Sequence, residues 1–151
     1  MRNLLVFSDS HGTSYLERLA EVTKFCDEAV FLGDVLEDAE EFECYAHMPM
    51  MKVAGNCDFF CREAREIVIT IENVKLLICH GDEYSVKYTM SEIIRHAQEI
   101  GAQVVLYGHT HRAKAEYREG ILLVNPGAMR NHEYAVLKLE DGKAVPTLHT
   151  L

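Results

Sequence analysis

Gly108-His109-Thr110-His111 directly follows an apolar run at residues 104–107. Side chains at i and i+2 share one face of an extended strand, so two imidazoles leaving a strand end at this spacing can address one site. On its own His-x-His is a modest motif, and its weight depends on donors elsewhere. The chain supplies them after other short apolar runs: Asp9 and His11 after the first, Asp34 after the second, Asn56 after the third and His80 after the fifth. Strand ends that share one edge of a sheet bring distant positions together, and open α/β proteins place their sites there. Seven N and O donors exceed the needs of one tetrahedral ion. They suit two ions roughly 3.5–4 Å apart that share a bridging carboxylate, for which Asp34 is the candidate. Two divalent cations set against the carboxylates of Asp9 and Asp34 and one hydroxide leave a net positive centre that attracts anions. The chemistry expected is metal-assisted phosphoester hydrolysis, with a metal-bridging hydroxide attacking phosphorus and no serine or cysteine nucleophile.

The elements that must position these residues can be read from periodicity. Residues 3–8 form a buried-strand pattern that ends in the loop Asp9-Ser10-His11-Gly12. Ser14-Tyr15-Leu16-Glu17 reads as a capping box opening a helix to about Cys26, with Leu16, Leu19 and Ala20 on one face. Residues 29–32 repeat the strand theme and end in Gly33-Asp34. The acidic stretch at 37–43 suggests a short helix whose carboxylates form a solvated face. Residues 50–54 are a third strand, ending in Gly55-Asn56-Cys57-Asp58. Residues 67–71 and 75–79 flank a Glu72-Asn73 turn as a hairpin. Met90, Ile93, Ile94, Ala97 and Ile100 have helical spacing before Gly101, with His96 read as structural. Four further strands are expected at 113–117, 121–124, 134–139 and 144–148, with turns at Glu119-Gly120 and Asp141-Gly142. A βα-style first half and an all-strand last third argue for two stacked sheets with helices outside them.

The bulk properties restrict the rest. A chain of 151 residues with 48% hydrophobic and 26% charged residues is expected to form one domain, residues 1–151, with a substantial core. No run approaches transmembrane length, and the N-terminal apolar segment is too short for a signal peptide, so a cytoplasmic protein with no membrane partner is expected. The five cysteines, Cys26, Cys44, Cys57, Cys61 and Cys79, are an odd set without secretory context and are expected to be reduced. A net charge of −9 opposes duplex nucleic acid and favours a small ligand. A homo-oligomer remains compatible with the sequence. Zincins require His-Glu-x-x-His, which is absent. The amidohydrolase barrel needs more chain than 151 residues, and the metallo-β-lactamase pattern needs Asp and His where Arg112 and Ala113 stand.

Taken together, Asp9-x-His11, Gly33-Asp34, Gly55-Asn56-Cys57-Asp58, His80-Gly81 and Gly108-His109-Thr110-His111 resemble the signature of the calcineurin-like metallophosphoesterases. The compact form is similar to the phosphodiesterase branch that also contains the retromer scaffold subunit, and Asn125-Pro126-Gly127 resembles a further family landmark. The resemblance implies an α/β fold, a four-layer αββα sandwich of two mixed sheets flanked by helices. It also implies a phosphodiesterase of small-molecule or nucleotide diesters. One metal would take Asp9, His11, Asp34 and His111, and the other Asp34, Asn56, His80 and His109, with Asp34, Asn56 and His109 also acting in catalysis through metal and phosphate positioning. Two divalent transition-metal ions are expected, manganese first, with iron, nickel and zinc also suited to this donor set. In many family members a histidine follows the motif asparagine and protonates the leaving group. Here that position is Cys57, and a neutral thiol is a poor substitute for imidazolium. The leaving-group acid is thus unassigned, with His47 and His132 as candidates and Asp58 left without an imidazole to orient. Arg112 and Arg130 lie near the motif ends and could touch a phosphate, although an arginine near a loop is usually only a solvated charge. The alternative function is a catalytically weak or inactive metal-binding scaffold for protein–protein interaction.

Overall fold

Strands that are apolar at successive positions must be covered on both faces. The computed structural model, which describes residues 1–12 and 15–151, shows this at β1 (Arg2–Phe7): Leu4 and Val6 enter one buried cluster, and Leu5 and Phe7 enter another. The elements that follow are α1 (Leu16–Val22), β2 (Glu28–Phe31), α2 (Leu36–Ala46), β3 (Met50–Lys52), β4 (Glu66–Ile71), β5 (Val74–Cys79), α3 (Ser91–Ile100), β6 (Val104–Leu106), β7 (Lys114–Arg118), β8 (Ile121–Asn125), β9 (Glu133–Glu140) and β10 (Lys143–Thr150). Short 3₁₀ turns occur at Asp82–Tyr84 and Met129–Asn131.

Two five-stranded sheets result, ordered β10-β9-β1-β2-β3 and β4-β5-β6-β8-β7. The β1-β2-β3 and β5-β6-β8 sets are parallel, and the remaining strands pair antiparallel at the flanks. The facing surfaces meet through Leu4, Val30, Leu76, Val104, Leu122 and Leu137, all nearly or fully buried. On the outer face of the first sheet, Leu16 and Leu19 of α1 and Ala39 and Phe42 of α2 pack against Leu5, Phe7 and Phe31. Phe7 lies between Phe31 and Phe42, with ring centroids 5.1 and 5.0 Å away. On the outer face of the second sheet, Ile93, Ile94 and Ala97 of α3 cover Leu77, Val105 and Leu123. The αββα sandwich expected from the resemblance is therefore present.

Boundaries differ locally. The helix read as reaching Cys26 ends at Val22, where Thr23 turns its hydroxyl back to the Leu19 carbonyl (2.6 Å), while Cys26 joins the core. Ser14 of the expected capping box lies outside the described residues. Asp38 corrects the solvated-face reading of α2: it is buried and accepts from Ser10 Oγ (2.8 Å) and Gly12 N (2.7 Å). No helix among the described residues is long and apolar enough to cross a membrane.

His96 is structural, as its helical setting suggested. Its Nε2 is 2.9 Å from Glu66 Oε2, its ring stacks on Tyr84, and the Tyr84 hydroxyl donates to the same carboxylate. Burial pushes the Glu66 carboxyl upward, but hydrogen bonds from Tyr84 and His96 and the His96 charge outweigh it, and its pKa lies below the ordinary value. A carboxylate held low in the folded state stabilises above its unfolded pKa of about 4.3 and loses that contribution as pH falls through the folded value. Glu66→Gln should therefore lower the thermal midpoint near pH 6, and the difference should shrink as pH falls through the folded-state value and close below it. A gap unchanged across this range would show that the carboxylate charge contributes nothing to stability.

Candidate metal centre

The parallel strands deliver their C-terminal ends to one edge of the sandwich. β1 leads into Asp9 and His11, β2 into Asp34, β3 into Asn56, β5 into His80, and β6 into His109 and His111. The chain must turn sharply there. Asp9, His11, Asp34, His109 and His111 all adopt left-handed φ values between 47° and 69°. That region is sparsely populated by non-glycine residues and costs on the order of 1–3 kcal/mol at each such position, so its concentration in these five points to a functional demand.

The two carboxylates are used alike. Asp9 Oδ2 accepts from Ser8 Oγ (2.6 Å) and from the His109 backbone N–H (3.2 Å). Its buried Oδ1 has no hydrogen-bond partner among the described residues and faces His111 Nε2 at 3.2 Å, His11 Nε2 at 3.8 Å and His80 Nε2 at 3.9 Å. Asp34 Oδ1 accepts from the Cys57 N–H (2.9 Å), while Oδ2 stands 3.3 Å from His80 Nε2 and 3.8 Å from His11 Nε2. His80 Nδ1 lies 2.6 Å from the Leu32 carbonyl, and donation there makes Nε2 the electron-pair donor whenever the ring is neutral; Nε2 faces Asn56 Oδ1 (3.0 Å) and His109 Nδ1 (3.2 Å). Two groups of donors thus lie close enough to hold an ion: Asp9, His11 and His111, and Asp34, His80 and His109. Electron-pair donors converging on one another, with a buried carboxylate oxygen and the His11 Nε2 unpartnered among the described residues, fit divalent cations better than an internal hydrogen-bond pattern.

The electrostatics keep Asp34 ionised and His109 neutral, whereas the two carboxylates favour a proton on His80 that a bound cation would displace. Burial alone would raise the Asp34 pKa, but the His80 hydrogen bond and charge, with the Cys57 N–H, hold it well below the usual carboxylate range. Burial would lower that of His80, and hydrogen bonding to Asp34 with the charges of Asp9 and Asp34 reverses this. His109 is pushed down by burial and then by the charges of His80 and Lys87, which favours a neutral, ligating ring.

A matching sequence profile, that of the calcineurin-like phosphoesterase superfamily domain, spans residues 1–142. The chain belongs to that superfamily. A probable metallophosphoesterase of Bacillus subtilis (strain 168), YsnB, is 36% identical over 149 residues, covering 94% of this chain and 87% of the relative. A predicted phosphoesterase from Streptococcus pneumoniae superposes with a TM-score of 0.82 at 26% identity, covering 99% of this chain and 89% of its own. Vps29 from Entamoeba histolytica, complexed with zinc, superposes with a TM-score of 0.78 at 17% identity over 98% of each chain, a likeness of fold.

Residues other than the candidate ligands hold this edge together. Asp58, without an imidazole to orient, accepts from Asp34 N, Leu36 N and Gly55 N, each at 2.8 Å, and so ties the β2 and β3 loops together. Asn125 donates to the Gly108 carbonyl (3.1 Å) and Thr110 Oγ1 (2.9 Å), fixing the His-Thr-His loop. Ser8 and Asp38 were not singled out by the sequence: a serine beside a motif aspartate and one carboxylate within an acidic run look like their neighbours. His47 is exposed at the end of α2, and His132 packs at a tilt against Tyr15 with centroids 3.9 Å apart. Neither hydrogen-bonds to the cluster among the described residues.

Glycine is required where loops touch. A Cβ on Gly55 would collide with Asp34 Oδ1, and one on Gly108 with Ser8 Oγ, also standing 2.9 Å from Asp9 Oδ2. Gly55→Ala and Gly108→Ala should each displace a carboxylate and weaken metal binding by about 10–100-fold, the range typical for disturbing the partners of metal ligands. Asp58→Ala should do the same by freeing three N–H donors. Titration calorimetry with Mn2+ reads the effect, and unchanged affinity in all three variants would dissociate these contacts from the metal centre.

Proposed function

We propose that the chain is a dinuclear-metal phosphoesterase acting on phosphodiesters of small molecules or nucleotides. One ion takes Asp9, His11, Asp34 and His111, and the other takes Asp34, Asn56, His80 and His109. The observation that carries the reading is the pair of donor groups, with Asp34 Oδ2 within 3.8 Å of a histidine nitrogen from each. Bound ions supply Lewis-acid charge to the phosphoryl oxygens and a water acidified for attack. The chain's own residues would hold the ions at the sheet edge, keep Asp34 ionised, and orient His80 through the Leu32 carbonyl. Manganese is the expected metal, and iron, nickel or zinc also match the donors.

On the leaving-group side, Cys57 lies next to Asn56, and burial and the Asp34 charge push its thiol upward. A thiol so raised donates a proton weakly, which restricts the enzyme to leaving groups that depart as stable anions unless another donor reaches them. A second reading, a scaffold for another protein, draws support from Cys57 and from Phe59 and Phe60, which are 76% and 107% exposed in the same loop.

Purified protein should contain about two transition-metal ions per chain, and Asp34→Asn or His109→Ala should lower hydrolysis of bis(p-nitrophenyl) phosphate by on the order of a thousandfold. Metal-replete protein inert toward aryl mono- and diesters would establish the scaffold reading instead. Cys57→His should raise turnover of alkyl esters more than that of aryl esters. Equal effects on both would place the proton donor elsewhere.

A further inference from the structure

A cavity of about 640 Å³ does not contain the candidate ligands but begins between two of them, at Thr110. It continues along β7 and the segment before α3. Lys87, Arg112, Lys114 and Arg118 line it, against a single carboxylate, Glu116. Four cations and one anion give the groove three net positive charges in a chain whose net charge is −9. Such a local reversal of sign concentrates anions where the rest of the surface repels them. Lys114 and Arg118 contact Glu116 at 3.4 and 4.0 Å. Lys87 and Arg112 have no carboxylate partner among the described residues, and both are exposed.

The groove is also tied to the metal edge. Thr110 Oγ1 accepts from the Arg112 backbone N–H (3.2 Å) and from Asn125 Nδ2 (2.9 Å), which ties one wall to the His109-Thr110-His111 loop. At the rim, Tyr88 is 91% exposed, a flat surface against which a sugar or base can lie.

We propose that this groove is a subsite for a second phosphate group, which makes the substrate class a phosphodiester of a phosphorylated nucleoside. The inference deepens the phosphoesterase reading and rests on it. The scissile phosphorus lies at the metal edge, the second phosphate is held by Arg112 and Lys87, and the nucleoside lies against Tyr88. Guanidinium and ammonium groups without internal partners keep their donors for the ligand, and paired donation from Arg112 suits phosphate geometry.

The test compares thymidine 5′-(p-nitrophenyl phosphate) with the same ester carrying a 3′-phosphate. The 3′-phosphate should raise kcat/KM about tenfold, mainly through KM, a gain in the range of one exposed charge-assisted contact. The double variant Lys87→Ala/Arg112→Ala should abolish this preference, a ratio of two kcat/KM values in which any change at the metal edge common to both esters cancels. Glu116→Gln, which releases Lys114 and Arg118, should enlarge it. Equal kcat/KM for the two thymidine esters, or a preference that survives the double variant, overturns the subsite. If no diester is hydrolysed, the catalytic reading fails by itself, and equilibrium binding of thymidine 3′,5′-bisphosphate decides the groove: binding about tenfold weaker in the double variant supports it, and equal binding overturns it.

Discussion

Each of the two buried aspartates commits one oxygen to neighbouring donors and turns the other toward histidine nitrogens. Asp9 is held by Ser8 and the His109 N–H, and Asp34 by the Cys57 N–H. The committed oxygen fixes the rotamer, and the free one carries the charge that organises the edge. The same contacts join loops far apart in the chain: Asp9 reaches the end of β6, and Asp34 the end of β3. Asp58 adds three further N–H acceptances around Asp34. A carboxylate with both oxygens satisfied would be a structural lock, and one with neither satisfied would be costly to bury. The half-committed state lets a fully buried group remain available to a ligand.

This arrangement opposes local stability. Five ligand candidates have left-handed backbone, and Gly55 and Gly108 allow contacts that any side chain would block. Such strain persists only where the surroundings over-determine it. Here the strands immediately before the loops are among the most buried in the molecule: Leu4, Leu5, Val6 and Phe7 before Asp9, and Leu76, Leu77 and Ile78 before His80, are all fully buried. The sandwich supplies rigidity, and the edge spends it.

Much of this was legible in the sequence, because ligand chemistry and chain punctuation coincide. Apolar runs ending in Asp, Asn or His marked both the strands and the candidates, and all seven candidates lie at one edge. The hairpin around Glu72-Asn73 and the helix before Gly101 followed from turn chemistry and helical spacing. What was not legible depends on contacts with no period. Asp38 looked like its acidic neighbours, yet it alone turns inward to Ser10 and Gly12. Asp58 was visible as a motif residue, but its three backbone partners come from separate loops. The basic groove was hidden because Lys87 lies more than twenty positions from Arg112, and only the return of β7 places them along one cavity.

The division of donors between the sheets gives the architecture a consequence beyond support. Asp9, His11, Asp34 and Asn56 follow strands of the first sheet, and His80, His109 and His111 follow strands of the second. Each donor group draws from both: Asp9 and His11 meet His111, and Asp34 meets His80 and His109. The distance across each group is therefore set by how the inner faces pack, through Leu4, Val30, Leu76 and Leu106. Close-packed interiors transmit a change of one methylene, so truncating an inner-face residue can loosen the donors without touching them. Conversely, ligands bound by both sheets stabilise the assembled sandwich by mass action. Core and site are in this sense one structure, in which the seam between the sheets ends at the candidate metal centre.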